Sequence, residues 1–264
     1  MTRLGLLLVG LAVTALPLAA QSGVSRFEVA SVKPAPPPRP VGPGIIVGRA
    51  SPPGSFNRTG TVASLIQLAY ELQIEQQVVG GPQWLREDRF EITARAGREA
   101  PFAEMRLMLR SLLVERFKLV ARSEQREMPT YVLVLARSDK RFGPGLKKNE
   151  DDCQSLVEQP RNVPPGATRA TGCGSMATFV NTGASRQMSA PVIDATGLIG
   201  NFDWSYFYDA AGSLLGRGIE PAVADLRVPQ YPTALQEQLG LKLEPRRAPI
   251  PVIVIDSVER PTPD

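Results

Sequence analysis

The sequence predicts an α+β fold in which repeated helix-strand-strand units pack helices on one face of mainly antiparallel sheets, as two subdomains. Three observations carry this. Apolar residues recur at helical spacing in three short segments, each followed by two runs of strand character. An offset of 122 positions lays the second segment on the third without gaps, pairing Leu113 with Leu235, Phe117 with Leu239 and Pro129 with Pro251. Hydrophobic residues make up 43% of the 264 and charged residues 21%, the balance of a chain with a real core.

Residues 1–20 read as a secretory signal peptide. Arg3 supplies the positive start, Leu4 to Leu16 an apolar run, and Ala19-Ala20 small residues before Gln21. Cleavage is expected between Ala20 and Gln21, with Ser22 as the alternative site and an uncleaved anchor as the competing reading. The run falls short of the roughly 20 apolar residues of a spanning helix. No later stretch is apolar enough to span, so the expectation is a periplasmic or secreted protein with no transmembrane segment after the leader is removed.

The first α+β domain is placed at 24–142. Phe27 to Val32 alternates as a strand, and 33–60, with Pro36-Pro37-Pro38 and Pro52-Pro53, reads as extended loop. Leu65, Leu68, Ala69 and Leu72 predict a helix over 62–72, with strands over 74–79 and 89–96. Leu109, Leu112, Leu113 and Phe117 predict the second helix, over 103–116, with strands over 118–122 and 130–137. A loop-rich linker is expected over 143–186 and a C-terminal α+β subdomain over 187–264. That subdomain holds the third unit: a helix through Tyr231, Ala234, Leu235 and Leu239, then strands over 241–243 and 252–256.

Cys153 and Cys173 flank a stretch rich in proline and glycine within the linker. In an exported protein the simplest reading is a disulfide between them. Two free thiols or a redox pair are the alternatives, although a catalytic pair usually reads C-x-x-C.

Histidine is absent and there are two cysteines, which removes Ser-His-Asp and Cys-His catalysis and zinc sites needing three or four Cys/His ligands. Asp194-Ala195-Thr196-Gly197 is not an aspartic-protease loop, because Ala195 separates Asp from Thr, and it reads as a turn. Glu150-Asp151-Asp152 lacks the alternating oxygens of a calcium loop. No catalytic, cofactor-binding or metal-binding residue is assigned, and no cofactor is expected. A net charge of +4 of mixed sign argues against a nucleic-acid partner. Phe202, Trp204, Tyr206 and Tyr208 alternate on one strand face; they are read as core, against the alternative of an exposed stacking row.

Phe27 to Pro34, Gly81-Pro82-Gln83-Trp84-Leu85, Leu112 to Leu119, Asp194 to Leu198 and Ala234 to Leu243 together carry a resemblance. The chain resembles the family known as domain of unknown function 3738. That resemblance implies an exported protein of soil bacteria, abundant in acidobacteria, with no established catalytic residues. It also implies an occasional association with membrane sensor peptidases. The expectation is therefore an exported, non-catalytic envelope module for protein contact or sensing, whose partner is another envelope protein. The alternative is an extracytoplasmic hydrolase or lyase that uses carboxylates without histidine or metal.

Overall fold

The computed structural model describes residues 25–36, 52–139, 141–154, 157–209 and 228–262. The expected leader and its Ala20–Gln21 junction lie outside the described residues. The first half runs β1 (Val29–Pro34), β2 (Ser55–Thr61), α1 (Val62–Ala69), β3 (Val78–Gly80), α2 (Trp84–Glu87), β4 (Arg89–Arg95), α3 (Phe102–Phe117) and β5 (Val120–Leu135). The second half runs β6 (Leu146–Asn149), β7 (Thr168–Gly174), α4 (Met176–Phe179), α5 (Ser185–Met188), β8 (Val192–Asp194), β9 (Asn201–Tyr208), α6 (Tyr231–Ala234) and β10 (Leu241–Ser257). π-helical turns Val180–Ala184 and Leu235–Leu239 follow α4 and α6. The class is α+β, on three sheets ordered β1-β4-β2, β3-β10-β5-β8 and β6-β9-β7.

The expected apolar stripes form the cores. Leu109, Leu112, Leu113 and Phe117 of α3 bury against α1, β4 and Ile253 and Ile255 of β10. Tyr231, Ala234, Leu235 and Leu239 bury in a second cluster with Trp204, Tyr206, Leu133 and Leu241. Burying each such leucine contributes ~1.5–3 kcal/mol. Among the described residues no helix is long and apolar enough to cross a membrane.

Five boundaries differ from the sequence reading, the first being the strand expected over 74–79, which is a 3-10 turn at Glu75–Gln77 followed by the short β3. The strands expected over 118–122 and 130–137 are one strand, as are those over 241–243 and 252–256. β5 and β10 pair antiparallel along their whole length, so polar residues such as Gln125 and Arg246 are held in the ladder. Pro129 and Pro251, expected just before strands, lie inside them. The Tyr131 N–H donates away from β10, to Pro191 O, and strand alternation turns the Pro129 nitrogen to the same side, where no ladder bond is lost. The proline-rich loop ends early, because residues 55–60 form most of β2. The loop-rich stretch 143–186 also carries β6, β7 and α4, and its two strands pair with β9 of the second half. β7 lacks apolar alternation because glycine makes room for an aromatic ring: a Cβ on Gly172 would stand 2.6 Å from the Trp204 ring.

The unit that repeats is larger than a helix and two strands; it spans half the described fold. Offsets of 114 positions early in each half, 112 on the central strand and 122 late carry one half onto the other. Val32, opposite Ile92, corresponds to Leu146, opposite Trp204. Thr61 caps α1 by accepting from the Ser64 N–H, and Ser175 caps α4 by accepting from the Thr178 N–H. Lys118 and Gly240 both end their helices in the left-handed region, at φ 50° and 72°. β3 runs parallel to β10 at Ile253–Ile255, and β8 runs parallel to β5 at the corresponding Tyr131–Leu133.

Candidate functional site

β9 is the central strand of its sheet, and its alternation divides two environments. Phe202, Trp204, Tyr206 and Tyr208 point into the core, as expected. The ring of Tyr231 meets that of Tyr208 edge-on at 5.0 Å between centroids. Burial pushes the Tyr206 phenol up to about 12, and burial raises those of Tyr231 and Tyr208 as well. These phenols are therefore neutral packing groups rather than nucleophiles.

The other face of β9 presents Asp203, Ser205 and Phe207 to an open cleft of about 780 Å³. One wall is residues 157–162, in the loop that the disulfide closes; the other is the start of β6 and Gln238. Cys153 and Cys173 are bonded, with Cα atoms 5.5 Å apart. The bond holds the loop base beside β9, since Cys173 sits opposite Asp203 in the β7–β9 register.

Close backbone approach shapes the cleft. Cβ atoms on Gly143 and Gly145 would stand 2.3 Å from Gln238 O and 2.2 Å from Ser205 O, so only glycine fits there. The Gln238 side chain completes the floor: its Oε1 accepts from the Phe207 N–H at 3.0 Å and its Nε2 donates to the Phe207 carbonyl at 2.8 Å. Asp203 Oδ1 accepts from Asn149 Nδ2 at 2.9 Å. Glu158 pairs with Arg161 and, at 3.9 Å, with Lys147. These pairs are exposed and contribute little to stability.

Carboxyl groups whose titration is shifted lie elsewhere. Hydrogen bonds from Arg137 pull Asp139 down to about 2, and those from Arg126 lower Glu124. Both shifts run opposite to what a general acid needs. Asp194 accepts from the Thr196 N–H and hydroxyl, so the Asp-Ala-Thr-Gly segment is the expected turn. Among the described residues no group of three or more Cys, Asp or Glu converges as a metal site.

The sequence brought Cys153 and Cys173 together correctly, but gave no sign of the cleft. Lys147, Asp203 and Gln238 meet only because β6, β9 and the last helix converge. A smaller pocket of about 190 Å³ lies in the first half, between the start of β1 and α3. There Ala30 and Arg116 correspond to Pro144 and Gln238.

No curated protein and no solved structure gives a significant match to the chain. A family match does exist, and it covers residues 63–258, from the start of α1 to the end of β10. The chain belongs to the family described as protein of unknown function (DUF3738).

Proposed function

We propose that this protein is an exported, non-catalytic module of the cell envelope that works by contacting another protein. The observation that carries the reading is a pair of edge strands, β2 and β7, at corresponding places in the two halves. Each is hydrogen-bonded on one side within its sheet, and among the described residues no strand pairs with its other side. Asn57, Arg58 and Thr59 on β2 are exposed. The Cys153–Cys173 bond supports an oxidising compartment. The lowered carboxylates weigh against the hydrolase or lyase alternative.

The same proposal includes the leader, the origin among acidobacterial soil bacteria and an envelope partner such as a membrane sensor peptidase. Intact-mass measurement on exported material should find a chain beginning at Gln21 or Gly23. A photo-crosslinking residue at Asn57 or Thr171 should capture one defined envelope protein in the native host. Crosslinks no different from those at an exposed helix position such as Glu115 would overturn the contact reading.

A further inference from the structure

The two halves act as controls for each other. Both build the same central strand, the same capped helix and the same long strand, so those features belong to the fold. The disulfide occurs in one half only. At the position corresponding to Cys173 the first half has Thr59. What one copy lacks, the unit does not need in order to fold. The bond is therefore an addition to the shared unit, and besides its stability it fixes the wall of the cleft formed by residues 157–162.

The lining indicates what the cleft serves. The floor is a central strand whose neighbours and Gln238 already occupy its backbone groups, so an incoming peptide finds no strand edge there. Recognition must come from side chains. Lys147 and Arg161 balance Glu158 and Asp203, so a ligand carrying net charge gains nothing from the site as a whole. Ser205, Gln159 and Asn162 supply groups that donate and accept, and Phe207 with Pro144 and Pro160 supplies apolar surface. A neutral molecule with hydroxyl edges and a C–H face matches that pattern, because ring faces stack while planar amides and carboxylates meet paired hydroxyls. The volume falls in the range of small-molecule sites, ~300–1,000 Å³.

We infer that this cleft binds a short neutral oligosaccharide, held between the outer face of β9 and the disulfide-closed loop. This goes beyond the contact reading, which rests on β2 and β7 and stands or falls separately. The test is an amide-resolved NMR titration of the oxidised full chain with chitotriose, cellotriose and maltotriose, with trialanine as the peptide control. At least one saccharide should shift Ser205, Phe207 and the amides of 157–162 saturably, and trialanine should not. Arg161→Ala and Ser205→Ala should weaken that saccharide at least fivefold without changing the melting temperature. Cys153→Ser with Cys173→Ser should weaken it further by loosening one wall. Absence of saccharide shifts at millimolar concentration, shifts confined to another surface, or trialanine occupying the cleft would each overturn the assignment. Crosslinking at Asn57 reads the contact proposal independently of these outcomes.

Discussion

Glu127 and Pro249 face each other at the middle of the β5–β10 ladder, and each is the other's counterpart in the repeat. Residues equally far from them pair in matching fashion: Gln125 with Pro251, Pro129 with Arg247, Leu133 with Leu243. The ladder therefore has a local two-fold relation about this pair. The rest of each half follows it, since β3 and β8 attach at corresponding places.

Equivalent core positions should carry equivalent loads. Leu113→Ala and Leu235→Ala should each destabilise by ~2–5 kcal/mol, because both leucines are fully buried and leave a cavity. Urea denaturation of the two variants measures this, and a loss below ~1 kcal/mol at either site would break the equivalence.

Reduction should weaken the protein without unfolding the cores. The bond spans a sequence separation of 20, and losing it should cost ~3 kcal/mol in the chain-entropy view. Denaturation with and without reductant gives the difference, and near-ultraviolet dichroism of Trp204 and the tyrosines should persist in the reduced form.

Gly145→Ala should damage the second half more than an ordinary surface change. Its Cβ would press on the Ser205 carbonyl of a central strand, which cannot move aside cheaply. A loss of ~1–3 kcal/mol is expected from such overpacking. Gly166→Ala, whose Cβ would meet nothing within 4 Å, is the comparison. Both glycines sit in the second half, but Gly166 has φ 83°, so only its backbone strain should register.

Alkali should unfold the tyrosine cluster cooperatively. Burial raises the Tyr206 phenol from 10.0 to about 12, so its stabilising contribution is complete below 10.0 and is lost as pH climbs through 12. The unfolded chain releases that proton first, and stability falls with pH in this window. Tyrosinate absorbance should therefore rise together with the loss of dichroism; a full rise in the still-folded protein would contradict the burial.

Local periodicity made much of this fold legible. The stripe Leu109, Leu112, Leu113, Phe117 and the alternation of Phe202, Trp204, Tyr206 and Tyr208 depend only on neighbours in sequence, and both lie where expected. Strand continuity through Ser123–Pro129 was hidden, because those residues earn their place by pairing with residues 247–253 rather than by hydrophobicity. The larger repeat was hidden for a similar reason: Thr61 and Ser175 do one job with different residues. The cleft left no local trace, since Gly143 and Gly145 are two of 23 glycines and only their approach to Gln238 and Ser205 sets them apart.

The exchange of strands between halves has a bearing on synthesis. Val78 and Val79 complete their sheet only against Ile253 and Val254 of β10. Contacts of such long sequence separation form late and slowly. A chain emerging from the ribosome thus cannot close the sheet of its first half until residues 253–254 are made. Under the export proposed above, that delay keeps the nascent chain passable through a translocation channel.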